Sequence, residues 1–154
     1  KIINQHPGQL DPGRPDFGGK GMYGSRVICA GIIYAMLVGE EHPFTEATTH
    51  FVTEAFDRGN IIRVKRLDFD VLHKGIDILK IEQDTDLQLY IKHKTEEIQK
   101  QLLPLKHANV IQTLVDVAKR NIPHIQRSEP LISEENKELL LQAKGLAIKL
   151  FPQG

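Results

Sequence analysis

Tryptophan is absent from the chain, cysteine occurs once, methionine twice, and six Phe with three Tyr are the only aromatic side chains in 154 residues. The lone Cys29 excludes an internal disulfide, so the chain is not a disulfide-stapled scaffold. It lies in the apolar run Val27–Val38, which suits a buried thiol in a reducing compartment rather than a nucleophile. That run is also the longest apolar stretch, too short for a membrane span of roughly 20 residues, and no signal peptide is recognisable. Neither sign of charge is in excess, with 20 acidic and 20 basic residues and a net charge of zero. This gives no electrostatic footprint for nucleic acid or an anionic membrane. Repeats and low-complexity tracts are lacking. His73, His93, His107 and His124 show no ligand spacing with Cys or acids, so no metal is expected. What remains is ordinary for one globular domain: 40% hydrophobic and 26% charged residues.

Two stretches carry the chemistry. The first, Lys1-Ile2-Ile3-Asn4-Gln5-His6-Pro7, is apolar, then polar, then stopped by proline. It reads as a buried strand delivering side chains to its exit, with Asn4 and His6 on the same side. The second runs through His50-Phe51-Val52-Thr53-Glu54-Ala55-Phe56-Asp57-Arg58-Gly59. Thr45–Thr53 reads as a strand, and Asp57-Arg58-Gly59 as the turn leaving it. Singly, each motif is ordinary: an Asn at a strand end, a lone His, an Asp-x-Gly turn. Together they supply what acyl transfer to an amine requires. Asn4 offers an uncharged donor to a developing oxyanion. His6 titrates near neutrality and can stabilise the oxyanion as imidazolium or shuttle the proton. Asp57 can hold that imidazole or a bridging water, and raise the imidazole's proton affinity. His50 either orients Asp57 or fills a strand position.

The rest of the chain reads as follows. Pro7–Gly24 is too rich in proline and glycine for a helix, and is a lid or substrate wall beside the histidine or, over Asp11–Asp16, a solvated loop. Gly19-Lys20-Gly21 is not a phosphate loop, because the upstream glycine spacing is wrong and Gly21 stands where Ser or Thr should hold magnesium. Ser25 caps a buried helix over Arg26–Val38 that Gly39 ends. Asn60–Asp68 is a half-exposed strand, and 69–82 fits no single element. A helix from Thr85 to Leu103 is stopped by Pro104. A second covers about Ala108–Arg120 with Val110, Ile111, Leu114, Val117 and Ala118 as its apolar side. A third, capped by Ser133, buries Leu139, Ala143, Leu146, Ala147 and Leu150.

Ile2-Ile3-Asn4-Gln5-His6-Pro7, Gly19-Lys20-Gly21-Met22-Tyr23-Gly24 and His50-Phe51-Val52-Thr53 with Gly59-Asn60-Ile61-Ile62 resemble the folate-dependent formyltransferase family, most closely its glycinamide ribonucleotide branch. The resemblance covers residues 1 to about 68. It implies an α/β fold with a mixed sheet and flanking helices, and a catalytic set of Asn4, His6 and Asp57 with His50 in support. It implies 10-formyltetrahydrofolate as co-substrate, its pterin near Thr53, Glu54, Ala55, Phe56 and Asp57. The acceptor would be the amine of glycinamide ribonucleotide in cytoplasmic purine biosynthesis, so that the partners are small molecules.

Departures from the pattern keep other readings open. The family's His-Pro-Ser-Leu-Leu-Pro is here His6-Pro7-Gly8-Gln9-Leu10-Asp11-Pro12 with extra residues following. The family's ribose-holding Glu in Glu-His-x-x-Tyr-Pro is matched by Gln99, unless Glu96 or Glu97 takes that place one turn earlier. Another acceptor (an amino sugar, or water as in a deformylase) and a non-catalytic protein keeping the fold are the alternatives. Family members carry a nucleotide-fold half ahead of the Asn-x-His strand, and this chain begins at Lys1 inside that strand, so a fragment is expected. Residues 1–104 would be the catalytic region and 105–154 a helical extension, serving as packing accessory or homodimer face.

Overall fold

The structure, a computed structural model, describes residues 2–14 and 16–154. Lys1, where the first strand was expected to begin, and Pro15 of the proline-rich loop lie outside the described residues. Among the described residues the fold mixes helix and strand, with three strands, β1 (Ile3–His6), β2 (Phe44–Phe51) and β3 (Ile61–Asp68). Four helices join them: α1 (Ser25–Val38), α2 (Ile78–Gln83), α3 (Thr85–Ala118) and α4 (Lys137–Leu150), the last preceded by a 3-10 turn at Glu134–Asn136.

The sheet has the order β1-β2-β3 and both pairings are antiparallel, where a mixed sheet was expected. β2 is central and almost wholly buried, and its threonines satisfy neighbouring backbone. Thr48 Oγ1 donates to Gly8 O at 2.8 Å, catching the chain just past the end of β1. β1 is not the buried strand its apolar start suggests: Ile2 just ahead of it is 71% exposed and Asn4 is exposed. A short strand paired on one side cannot cover its own outer surface.

α1 is the core helix. Ile28, Cys29, Ala30, Ile32, Ile33 and Met36 are all essentially inaccessible, and it packs against α3 and α4. Burial pushes the Cys29 thiol up to about 12, so it is an inert core group. Gly39 ends the helix with φ 71°, the left-handed conformation that glycine adopts without a Cβ penalty. Ser25 does not cap α1. Gly24 takes that position, and the Ser25 hydroxyl donates instead to Gln99 Oε1 at 3.0 Å.

α3 corrects a larger expectation. It is one helix of 34 residues that runs through Pro104. A single face persists across the proline: Leu87, Ile91, Thr95, Ile98 and Leu102 are buried before it, Asn109 and Thr113 after it. Proline removes one N–H and crowds one turn, but packing of the flanking turns on α1 and on the sheet outweighs that local cost. The polar half of this face is tied to backbone, since Asn109 Nδ2 donates to Ala47 O at 2.7 Å and Thr113 Oγ1 to Asn109 O at 2.7 Å, while Asn109 Oδ1 is buried without a hydrogen-bond partner among the described residues. Ile111, Leu114 and Val117, expected inside, are exposed. The residues left without an assignment contain α2, whose Asp77 side chain accepts from Leu79 N. In α4 the buried stripe is Leu140, Ala143, Leu146 and Ala147, with Leu139 and Leu150 half-buried. Among the described residues no helix is long and apolar enough to cross a membrane.

The described residues of the loop, 7–14 and 16–24, are largely buried rather than solvated, with Gly13, Lys20 and Tyr23 exposed. Leu10, Asp11, Asp16 and Phe17 are buried. Arg14 Nε meets Asp11 Oδ2 at 2.8 Å and Arg14 Nη2 donates to Arg127 O at 2.8 Å. Arg127 Nε in turn donates to Leu10 O at 2.7 Å, while its Nη2 pairs with the buried Glu46 of β2.

Candidate functional site

Strand register assembles the first part of the site. Asn4 lies opposite His50 and His6 opposite Thr48, and residues directly opposite in an antiparallel pair project from the same face. Asn4, His6 and His50 therefore share one side of the sheet. An irregularity in β2–β3 pairing between Thr49 and His50 sets His50 opposite Ile61, the kind of break that re-aims a side chain at a sheet's functional end.

Asp57 arrives from the loop between β2 and β3. Gly59 allows that loop to fold back: a Cβ there would lie 1.7 Å from Phe51 O. Asp57 itself has φ 56°, a conformation costing on the order of 1 kcal/mol or more outside glycine. The chain holds this strained residue through Gly19 N, which donates to Asp57 Oδ2 at 3.0 Å. Gly18 beside it has to be glycine, because a Cβ would sit 2.8 Å from Asp57 Cβ and 2.7 Å from Leu10 Cδ2.

The Asp57 carboxylate then stands between the two imidazoles. Oδ2 is 3.7 Å from His6 Nδ1, and Oδ1 is 3.5 Å from His50 Nε2. Both separations are charge contacts longer than hydrogen bonds. His50 Nδ1 lies 2.9 Å from Phe51 O, which makes that nitrogen the donor. In the neutral ring Nε2 then presents a lone pair toward Asp57, and a proton there converts the contact into a charge-assisted bond. His50 thus touches Asp57 as well as filling its strand position. His6 Nε2 and His50 Nε2 are buried and without a hydrogen-bond partner among the described residues.

His6 is 2% exposed. Burial pushes its imidazole down from 6.5 to about 4 against the opposing pull of Asp57, and the charges of His50, Lys144 and Lys106 push the same way as burial. The carboxylate does raise proton affinity, as expected, but desolvation of a ring this deeply buried outweighs it. At neutral pH His6 is a neutral base.

Asn4, His6, Tyr23, Phe56, Asp57 and Lys106 are among the residues lining a cavity of about 380 Å³. No hydrogen bond among the described residues occupies the Asn4 amide. The segment Thr53–Phe56 is exposed, with Thr53 Oγ1 donating to Ala55 O at 2.9 Å and Phe56 standing 65% exposed at the cavity rim. An adjoining cavity of about 340 Å³ shares Pro7, Gly24 and Lys106 with the first and is lined further by Glu96, Gln99, Lys100 and Leu103. Gln99 therefore opens onto the same groove as His6, with its carbonyl oxygen already committed to Ser25. Of the two alternatives to Gln99, Glu96 faces this cavity, while Glu97 is engaged with Lys94 and Gln101. Among the described residues no group of three or more His, Cys, Asp or Glu side chains is arranged to hold a metal ion.

Three contributors escape a reading of motifs, Gly18, Lys106 and Lys144, and a fourth, Gly19, stands in a motif that gave it no role at Asp57. The glycine-rich stretch is visible in the sequence as a loop, but its service to Asp57 is a backbone contact across 38 residues, which no local pattern records. No protein-family model, no curated protein and no solved structure matches this chain.

Proposed function

We propose that the protein transfers a formyl group from 10-formyltetrahydrofolate to the amine of glycinamide ribonucleotide, on a formyltransferase-type fold. The observation that carries this reading is Asp57 placed between His6 and His50, with Asn4 on the same face of the cavity. The acceptor nitrogen attacks the formyl carbon, forming the new C–N bond, and the carbonyl oxygen becomes an oxyanion. Asn4 Nδ2 donates to that oxygen, the type of contact whose loss typically costs on the order of 10²–10³ in rate. His6, neutral in its buried setting, removes the proton from the attacking nitrogen and returns it to the folate nitrogen as the old C–N bond breaks. As the imidazolium forms, Asp57 balances its charge and the 3.7 Å contact shortens. No covalent intermediate on the chain is needed, because the amine is the nucleophile.

The exposed Thr53–Phe56 segment, with the half-buried Asp57 after it, borders the side on which the pterin would lie. The adjoining cavity with Gln99 would take the ribose. The test is the full-length protein with 10-formyltetrahydrofolate and glycinamide ribonucleotide, following formylglycinamide ribonucleotide and free formate. Formylated product supports the proposal. Formate alone moves the acceptor to water, and no turnover of the donor with any amine removes the catalytic reading.

A further inference from the structure

The ammonium of Lys144, on α4, reaches across the molecule to the glycine loop beneath the site. Its Nζ donates to Gly18 O at 2.8 Å. The next residue, Gly19, is the one whose N–H holds Asp57 Oδ2 at 3.0 Å. Lys144 and Asp57 thus grip the same stretch of backbone on consecutive residues. Asp16 stiffens that stretch from within, accepting from Gly18 N at 2.6 Å and from Asp11 N at 3.0 Å. Arg26 fastens its far end to the residues after α4, donating to Gly21 O at 3.0 Å, Phe151 O at 2.8 Å and Pro152 O at 2.6 Å.

We propose that Lys144 is a positioning residue for the His6–Asp57 pair, through which α4 fixes the Gly18–Gly19 backbone under Asp57 and sets the charge that His6 experiences. This rests on the formyl-transfer reading only for its consequence in turnover. A half-buried ammonium has few other places to go: Asp16 and Asp57 attract it, Arg58 repels it, and burial lowers its proton affinity. The charged and titratable groups acting on His6 are Asp57, which favours its proton, and His50, Lys144 and Lys106, which oppose it. Removing the ammonium therefore leaves Asp57 less opposed and moves the His6 titration upward. It also frees the Gly18 carbonyl and loosens the Gly19 amide. The C-terminal helix is then part of the site's machinery.

The experiment compares Lys144→Met with Lys144→Arg in the full-length protein by two readouts independent of turnover: the His6 imidazole titration by NMR and hydrogen exchange of the Gly19 amide. Lys144→Met should raise the His6 midpoint and speed Gly19 exchange roughly tenfold, the scale of one lost hydrogen bond. Lys144→Arg, which keeps charge and donor, should restore both. In the formyl-transfer assay Lys144→Met should lower kcat roughly tenfold to a hundredfold with KM for the donor little changed. An unmoved His6 midpoint together with unchanged Gly19 exchange overturns the proposal. Should Lys144→Met not fold, Lys144→Gln decides, since losing the charge alone must still raise the His6 midpoint. A protein whose His6 and Gly19 respond as stated, yet which never turns over the donor, upholds the positioning role and refutes the formyl-transfer reading.

Discussion

His6 carries two properties that ordinarily conflict: it is almost fully buried, and it faces a carboxylate at 3.7 Å. Burial prevails and holds the imidazole at about 4. The linkage has a definite sign. Between 4 and 6.5 the unfolded chain binds a proton on His6 that the folded chain does not, so stability falls as pH drops through that window and is fully present above 6.5. The size is about 3 kcal/mol, from roughly 1.4 kcal/mol per unit. Urea unfolding at pH 7 and pH 4.5 should show this loss, and His6→Asn, which cannot titrate, should lose measurably less. Equal losses in both proteins would contradict the buried neutral imidazole. In the transfer assay Asn4→Ala should cost on the order of 10²–10³ in turnover. His6→Ala and Asp57→Ala should each cost about 10²–10⁴. Near-normal turnover in His6→Ala would dismiss His6 as the proton carrier.

α3 shows how an element can be right in kind and wrong in face. The apolar positions after Pro104 invited a buried stripe through Ile111 and Leu114, yet Asn109 and Thr113 are the inaccessible ones. The sheet decides this. Asn109 donates to the carbonyl of Ala47 in the central strand, and Asp116 pairs with Arg63 of β3, so the helix presents a polar face where it crosses backbone. Asn109→Ala should destabilise the protein by about 1–3 kcal/mol, the cost of removing one partner of a buried hydrogen bond. Ile111→Ala, 64% exposed, should fall within about 0.5 kcal/mol of the parent. Denaturant midpoints measure both, and the reverse order would restore the apolar stripe.

At the scale of the whole molecule, the groove from His6 to Gln99 is where the proposed transfer would seat its acceptor. Gln99 Oε1 accepts from Ser25, which leaves one uncharged acceptor lone pair and the amide hydrogens for a ligand. A carboxylate there could keep the Ser25 bond and still accept from a diol, and charge-assisted bonds are worth about 1.5–3 kcal/mol. Gln99→Glu should therefore lower KM for glycinamide ribonucleotide by roughly tenfold or more. No change in Gln99→Glu, with a large rise in KM for Glu96→Gln, would assign the ribose to Glu96, which opens onto the same cavity.

Sequence alone makes legible the mixture of helix and strand, the glycine-ended core helix α1, β2 and β3 to within a few residues, and the order of Asn4, His6, His50 and Asp57 along the chain. Each of these is written in local periodicity, turn residues or motif spacing. It could not determine that the sheet is antiparallel, that α3 continues through Pro104, or that the loop after Pro7 is buried by Arg14 and Arg127. Nor could it show that burial outweighs Asp57 at His6, or that Lys144 reaches Gly18 from 126 residues away. Those outcomes depend on which surfaces meet. Desolvation, the satisfaction of backbone carbonyls and the charge felt at a buried ring are sums over neighbours distant in sequence, and only the tertiary structure fixes who those neighbours are.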